Sequence, residues 1–143
     1  MSVIDPKMLM DLLWAVKNGD LEKVQEIVET QPDKTYIINK EVEGRKYIHY
    51  ASDYGQLDVL KYLIANGAHK DDEDQYGIRP IQAAIWEDNI AIVQYLLSLG
   101  VSRKGLLKLA DSDDMRNLLK PRNKEEEEED RLDAEAEALK KGA

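Results

Sequence analysis

His49 is the side chain with the greatest potential for chemistry, because a histidine can act as a general base near neutral pH. The chain has one other histidine, His69. A general base needs a nucleophile to activate, and no such pair and no Gly-rich phosphate loop is identifiable. Cysteine is absent, which excludes thiol catalysis, disulfides and Cys-based zinc sites. No catalytic, cofactor or metal site is predicted. The one enzyme hypothesis that the sequence leaves open is a catalytic pair of carboxylates from distant parts of the chain.

The acidic run Asp71–Asp74 raises a second chemical hypothesis, a calcium loop. Such a loop needs alternating oxygen ligands, a glycine at position six and a bidentate glutamate at position twelve. Counted from Asp71, position six is Tyr76 and position twelve is Gln82. The pattern therefore fails, and the run predicts a solvated acidic turn that is able to meet basic residues of a partner.

The elements that carry these residues form an internal repeat. Three pairs of landmarks each lie 33 residues apart, namely Gly44 and Gly77, Ala51 and Ala84, and Gly67 and Gly100. Each stretch contains a glycine turn, a short apolar segment, a break and a second apolar segment. A period of this length is typical of stacked repeats, in which each unit buries its apolar face against its neighbours.

The first unit is a helical hairpin with clear signals at its ends. Asp5 and Pro6 suit an N-cap and a first helical residue, Gly19 ends the helix, and Asp20 caps the next. Apolar residues at i, i+3, i+4 and i+7 form a stripe in Leu9, Leu12, Leu13 and Val16, and a second stripe follows in Leu21, Val24, Ile27 and Val28. Trp14 occupies an apolar position in the first helix and is predicted to lie in the core.

The repeat predicts an all-α solenoid of about four stacked helical hairpins with projecting turns, followed by an acidic tail. The predicted repeat domain covers residues 1–120, with units at about 5–40, 41–73 and 74–102, a degenerate cap at 103–120, and the tail at 121–143. Three surplus residues fall in Thr30–Val42 and predict a longer loop there, since loop closure entropy grows slowly with length.

The fourth unit is shortened before its first helix, so its projecting turn is predicted to be missing. Its first helix would contain Leu106, Leu107, Leu109 and Ala110. Asp113 would cap a second helix carrying Met115, Leu118 and Leu119. An atypical terminal unit is expected, because it buries only one face.

The tail holds nine acidic and five basic residues. Glu127–Arg131 and Glu137–Lys141 have the favourable spacing and order for helical ion pairs. Leu132, Ala136 and Leu139 form only a thin apolar seam. The pattern predicts a frayed, solvated helix or a disordered segment, and it is typical of a solubility device.

The formal net charge is −9, which disfavours nucleic-acid and membrane partners and favours a protein with a basic surface. The N-terminus lacks the pattern of a signal peptide, and no apolar run reaches the roughly 18 residues of a membrane span. We therefore expect a cytoplasmic protein, with the nucleus as a further location, and a monomer.

The landmarks, taken together, resemble the ankyrin repeat family. In that family a histidine at the place of His49 hydrogen-bonds the backbone of neighbouring turns, which is the favoured role here. Gln82 takes the same place in the third unit. Lys46 and Arg79 replace the usual turn threonine, so the turns lose that hydroxyl's hydrogen bonds. Asp88 replaces the glycine between the helices of its repeat and is expected in a left-handed conformation at a cost of order 1 kcal/mol.

Within this family, residues 14–24 and the segment from Gly44 to Leu57 resemble the myotrophin-like proteins. The resemblance spans roughly residues 8–120 and weakens after Gly100. It implies a regulator that binds the heterodimeric actin capping protein, sequesters it and leaves filament barbed ends free to grow. A role with Rel-type transcription-factor dimers is a less favoured implication. An acidic face on the chain would suit the basic actin-binding surface of capping protein.

Ankyrin repeats bind partners through their turns and the exposed side of their first helices. Val42 is predicted to be a variable turn position. The predicted protein-binding residues are Lys17, Asn18, Glu43, Arg45, Asp53, Tyr54, Gln75, Tyr76, Ile78, Trp86 and Glu87. Two interpretations of Trp86 stay open, an interface anchor and a packing residue that covers the neighbouring repeat.

A second class of function also stays open, that of a generic intracellular adaptor or scaffold with an unidentified partner. In an adaptor the repeats would dock one protein and the acidic tail would attract another. A sequestering module would keep its affinity when residues 121–143 are removed, whereas an adaptor would lose one partner.

Overall fold

The computed structural model describes residues 4–142. Unit one contains α1 (Pro6–Asn18), α2 (Leu21–Glu29) and the short α3 (Lys34–Ile38). Unit two contains the hairpin β1 (Glu41–Val42) and β2 (Arg45–Lys46), then α4 (Tyr47–Asp53) and α5 (Leu57–Ala65). Unit three contains α6 (Pro80–Trp86) and α7 (Ile90–Ser98). A 3-10 turn, η1 (Leu107–Leu109), α8 (Asp113–Leu119) and α9 (Lys124–Gly142) complete the described chain.

The hairpins begin where the sequence predicts. The Asp5 side chain accepts a hydrogen bond from the Lys7 amide at 2.9 Å, and Asp20 accepts one from the Lys23 amide at 3.1 Å. Gly19 adopts φ +70° and ends α1, a conformation that glycine reaches without steric cost. Asp88 has φ +57°, which confirms the left-handed break expected in unit three.

First helices pack on first helices, and second helices on second helices. The helix α4 lies between α1 and α6, and α5 lies between α2 and α7. The core runs through these contacts, and the fully buried residues of the first helices include Leu12, Val16, Ile48, Ala51, Ile81 and Ala84. Burial of such side chains contributes about 25 cal/mol per Å² of apolar area, which stabilises the stack.

Polar side chains at the start of each second helix join each unit to the one before. Gln56 donates from Nε2 to the Lys17 carbonyl at 2.8 Å, and Asn89 donates from Nδ2 to the Ser52 carbonyl at 2.7 Å. These bonds satisfy carbonyl groups at the ends of the first helices, which have no partner within the helix. The stack is therefore held by a repeated hydrogen bond as well as by apolar contact.

Buried tyrosines find the hydroxyl partners that their burial requires. The Tyr47 hydroxyl donates to the Leu9 carbonyl at 2.9 Å, and Tyr50 donates to the Val42 carbonyl at 2.7 Å. Burial raises the pKa of Tyr47 well above its usual value, so its hydroxyl stays a donor. Tyrosine thus takes part in the core of a chain that has no phenylalanine.

The prediction that Trp14 lies in the core is wrong, because its side chain is 71% exposed. The stripe of α1 points Leu12, Leu13 and Val16 inward. A residue two positions after Leu12 lies about 200° around the helix from it, which directs Trp14 to solvent.

The prediction of a longer loop over Thr30–Val42 is also wrong in part. The surplus residues form α3, capped by Asp33, whose side chain accepts from the Tyr36 amide at 3.1 Å. Ile37 and Ile38 are each 1% exposed and extend the core. The insertion therefore adds a packed helix rather than a free connection.

The cap differs from the prediction at two points. Its first helix is reduced to the single turn η1, with Leu106 and Ala110 buried on either side. Ser112, not Asp113, caps α8, since its hydroxyl accepts from the Met115 amide at 3.0 Å. Asp113 instead pairs with Arg116 at 2.7 Å.

The tail contains α9, a continuous helix with no buried residue over its described length, 124–142. Its ion pairs differ from those predicted, because Arg131 pairs with Glu128 and Glu135 and Glu137 pairs with Lys108. Among residues 4–142, no helix is long and apolar enough to cross a membrane.

Candidate protein-binding surface

The first projecting turn is the hairpin β1–β2, in which Glu41 pairs with Lys46 and Val42 with Arg45. Glu43 and Gly44 form its corner with φ values of +55° and +79°. Positive φ at both central residues is typical of a two-residue turn that matches the strand twist. Glu43 is exposed at the tip, but Val42 is buried, so the prediction of Val42 as a variable surface position is wrong.

The second turn is built on Asp74. Its Oδ1 accepts hydrogen bonds from the amides of Tyr76 at 2.8 Å and Ile78 at 3.0 Å, which fixes the loop around Gly77. The Gln75 amide donates to the Gly44 carbonyl at 3.0 Å and so joins the two turns. The side chains of Gln75 and Tyr76 stay exposed on the outer side of the joined turns.

Arg45 connects the two turns to α4. Its Nη1 lies 3.4 Å from Asp53 Oδ2, and its guanidinium carbon lies 4.9 Å from the centre of the Tyr50 ring. Its Nε lies 3.3 Å from Asp74 Oδ2 in the geometry of an ion pair rather than of a hydrogen bond. The half-buried guanidinium is therefore committed to the fold of the surface, and little of its charge faces a partner.

The environment of Asp74 keeps its carboxylate ionised. Burial alone would raise its pKa, since the side chain is 1% exposed. The amides of Ile78 and Tyr76, together with the nearby positive charge of Arg45, outweigh that effect and hold the pKa of Asp74 below its usual value.

Two further cations replace the hydrogen bonds of the missing turn threonines. Lys46 Nζ lies 2.5 Å from Asp72 Oδ2, and Arg79 Nη1 lies 3.0 Å from Asp71 Oδ1. The turns are thus pinned by ion pairs. Three of the four carboxylates in the acidic run that suggested calcium, those of Asp71, Asp72 and Asp74, lie beside cations of the chain. Within residues 4–142, no cluster of three or more histidine or carboxylate side chains is arranged to hold a metal ion.

His49 has the structural role that its position predicts. It is fully buried, its Nδ1 accepts from the Lys46 amide at 3.1 Å, and its Nε2 donates to the Asp72 carbonyl at 2.8 Å. Burial lowers the pKa of His49, which favours the neutral ring. In unit three, Gln82 Oε1 accepts from the Arg79 amide at 2.7 Å and repeats the first of these contacts.

The candidate residues of the first helices lie on the same side as the turns. Lys17 Nζ sits 5.3 Å from the Tyr50 ring centre and 5.5 Å from that of Tyr54, within range for cation–π attraction. Asn18 donates from its side chain to the Trp14 carbonyl at 2.7 Å. Trp14 therefore adjoins the predicted band and adds an exposed aromatic that the hydrophobic pattern misassigned to the core.

An open groove of about 270 Å³ brings six of the candidate residues together. These are Arg45, Asp53, Tyr76, Ile78, Trp86 and Glu87, and the groove is completed by Asp74 and Ala83. Trp86 is 47% exposed and Tyr76 is 71% exposed, so both present aromatic surface to the groove. About half of the Trp86 side chain is covered by its neighbours. The packing interpretation therefore describes the covered half, and the anchor interpretation describes the exposed half.

The remaining candidates lie at the ends of this band. Glu43 and Gln75 are on the turn tips, whereas Lys17, Asn18 and Tyr54 lie toward unit one. Whether any of these residues binds a partner stays a prediction. The arrangement as a whole is an exposed aromatic and acidic surface on rigid turns and helices, which is suited to protein recognition.

A sequence model of ankyrin repeats matches residues 12–104 in three copies. The match covers more than half of the chain, and the chain therefore belongs to the ankyrin repeat family. This confirms the all-α repeat solenoid and assigns the chain to a class of protein-binding modules. That the chain has no enzymatic activity stays a prediction.

Individual relatives make the similarity more specific. Myotrophin from Xenopus tropicalis is 43% identical over 60 residues, which is 41% of this chain and 48% of that protein. BCL-6 corepressor-like protein 1 from Homo sapiens is 31% identical over 96 residues, 62% of this chain and 5% of that protein. Protein phosphatase 1 regulatory subunit 27 from Homo sapiens is 31% identical over 88 residues, 62% of this chain and 56% of that protein. The predicted resemblance to myotrophin is confirmed, and the chain spans about half the length of the myotrophin it matches.

Proposed function

We propose that the chain is a myotrophin-like regulator that binds the heterodimeric actin capping protein and sequesters it from filament barbed ends. Capping protein enters through the resemblance to myotrophin-like proteins. The observation that carries the proposal for this chain is the groove of Tyr76, Trp86 and Glu87 between the second turn and α6. A large exposed aromatic beside an exposed carboxylate matches the chemistry of a basic, partly apolar protein surface.

The charge of the surface supports a basic partner. Among the described residues, neither Glu43 nor Glu87 forms an ion pair, so both carboxylates face solvent. The basic residues of the same surface are already engaged, Arg45 by two carboxylates and Lys17 by two tyrosine rings. A partner would therefore meet net negative charge, in keeping with the total of −9.

The proposal is tested by titrating the chain into purified capping protein, with calorimetry at two salt concentrations. We expect submicromolar binding that weakens as salt rises, because the charges at the rim of the groove are screened. Trp86→Ala should weaken binding by at least tenfold if the indole is an anchor. Circular dichroism of each variant establishes that the helical content is unchanged.

A matched pair of charge reversals separates the groove from the overall charge. Glu87→Lys lies in the groove, whereas Glu22→Lys lies exposed on α2, and each changes the formal net charge from −9 to −7. Only Glu87→Lys should reduce affinity by several-fold or more. Equal losses in the two variants would show that net charge rather than this face governs binding. An absence of heat and of competition with barbed ends would rule out capping protein as the partner.

A further inference from the structure

The open end of the stack carries three basic residues within a stretch of six, which we call the basic edge: Arg103, Lys104 and Lys108. They lie on the segment between α7 and α8, where the fourth projecting turn is absent. Arg103 donates from Nη1 to the carbonyls of Leu118 at 3.1 Å and Lys120 at 3.4 Å, which fixes it against the end of α8. Lys104 and Lys108 are about half exposed.

The acidic helix α9 lies along the basic edge. Lys104 Nζ is 3.6 Å from Asp133 Oδ1, and Lys108 Nζ pairs with Glu137 Oε1. The two lysines are four residues apart, as are the two carboxylates, so one helical turn of α9 matches the spacing of the edge. The chain as a whole has a net charge of −9, and the lysines of the basic edge supply positive charge opposite the acidic helix α9.

The contact between α9 and the repeats is shallow. An open space of about 270 Å³ remains between them, lined on one side by Gly105 and Leu107 and on the other by Asp133 and Ala134. Over residues 124–142 no side chain of α9 is buried, and Leu139 is 77% exposed. The helix is thus held mainly by exposed ion pairs, which are individually weak and are screened by salt.

We propose that the basic edge is a docking site for acidic helical segments and that α9 is its resident, reversible occupant. The tether to α8 gives α9 an effective concentration in the millimolar range, which compensates for weak contacts. An acidic helix of a partner protein, with carboxylates four residues apart, would dock by displacing α9. The basic edge shares no residue with the groove of Trp86, so this proposal and the proposed function stand or fall separately.

The test uses the full chain and a labelled synthetic peptide of residues 121–143 as the acidic probe, with fluorescence anisotropy at low salt. The double variant Asp133→Lys/Glu137→Lys repels its own α9 from an intact edge. The double variant Lys104→Glu/Lys108→Glu removes the edge. The control Glu125→Lys/Glu127→Lys makes the same change of charge in α9 at positions that contact no part of the edge.

We expect the probe to bind Asp133→Lys/Glu137→Lys roughly tenfold more tightly than the unaltered chain, because the tethered competitor has been released. The control should bind like the unaltered chain, and Lys104→Glu/Lys108→Glu should not bind. Amide hydrogen exchange over residues 124–142 should be faster in the released variant, which reports undocking of α9 directly.

Three results would overturn the proposal. One is equal affinity of the probe for the unaltered chain and for Asp133→Lys/Glu137→Lys. Another is retained binding by Lys104→Glu/Lys108→Glu, which would place the probe elsewhere. The third is unchanged hydrogen exchange of α9 in the released variant, which would show that these ion pairs do not hold the helix.

Discussion

Replacement of His49 by alanine removes two hydrogen bonds, one to the backbone at the start of α4 and one to the turn that follows α5. The Lys46 amide loses its acceptor at Nδ1, and the Asp72 carbonyl loses its donor at Nε2. The site is fully buried, so water cannot simply take the place of the ring. Each buried polar group left without a partner costs about 1–3 kcal/mol, and removal of the packed ring adds a cavity. We expect His49→Ala to lower the free energy of unfolding by about 3–5 kcal/mol.

His49→Gln is the matched control, because unit three already holds a glutamine at this place. Gln82 keeps the bond to the Arg79 amide. By analogy, the glutamine side chain of the variant would keep the bond to the Lys46 amide and lose the bond to the Asp72 carbonyl. The expected loss of unfolding free energy is therefore about 1–2 kcal/mol, because one buried group, the Asp72 carbonyl, is left without a partner. Urea unfolding followed by circular dichroism at pH 7.5 measures both values, provided that the m-value is unchanged.

The same residue predicts a pH dependence. Burial lowers the pKa of His49 in the folded chain, whereas the unfolded histidine titrates near about 6.5. Above that range both states are neutral and the histidine contributes no slope. As the pH falls through about 6.5, the unfolded state binds a proton that the folded state resists, so stability falls. His49→Gln should remove this loss between about pH 7.5 and 5.5, since glutamine does not titrate.

Two outcomes would refute this account of His49. If the alanine and glutamine variants lose the same stability, the retained bond to the Lys46 amide contributes nothing. If the unaltered chain and His49→Gln share the same slope over that pH range, other groups are responsible for it.

Three further comparisons test the structure at single positions. Ser112→Ala should cost about 1 kcal/mol through loss of the α8 cap, whereas Asp113→Ala should cost little, as judged by urea unfolding. Gly19→Ala and Gly100→Ala both strain a left-handed residue by about 1–2 kcal/mol. Only at Gly19 does the new Cβ also meet a side chain, because it would lie 2.2 Å from Oε1 of Gln56, the glutamine that joins unit two to unit one. The Gly19 variant should therefore melt at the lower temperature. Trp14→Ala should change stability by less than about 1 kcal/mol, because the indole is exposed, and a larger loss would restore Trp14 to the core.

The stacked hairpins follow from features that are local in sequence. The offset between Gly44 and Gly77 fixes the unit length, and helical stripes such as that of Leu12 and Val16 fix the buried face. The break at Asp88 was predictable because the neighbouring unit has a glycine at the same place. Repetition supplies a template within the chain itself, so one well-patterned unit predicts the others.

The wrong predictions arise where the type of a residue was considered without its angular position on the helix or its backbone conformation. Trp14 is apolar, but its angular position on α1 directs it outward, and that angle was available from the sequence. Asp33 before Ile37 and Ile38 carried the signal of α3, a capping residue ahead of an apolar pair. Ser112 and Asp113 are both good caps, and only the backbone conformation shows which side chain accepts from an amide.

The site itself was predictable as a set of positions but not as a network of contacts. Repeat position alone predicts that Trp86 and Tyr76 are exposed, and both are. The pairing of Arg45 with Asp74 joins residues 29 positions apart, and their identities follow no local rule. Such pairs depend on the packing of two units, which the pattern of one unit does not encode.

These contacts determine which charges a partner can use. Asp74 is buried, Asp71 and Asp72 face cations of the chain, and Asp53 is paired with Arg45. The acidic surface suggested by the sequence thus reduces to a few free carboxylates, chiefly Glu87 near the groove. Electrostatic complementarity mainly sets association rate and specificity, whereas a desolvated aromatic anchor can account for most of the binding energy. A partner of this surface should therefore depend more on Trp86 than on the net charge, and its affinity should fall only modestly with salt.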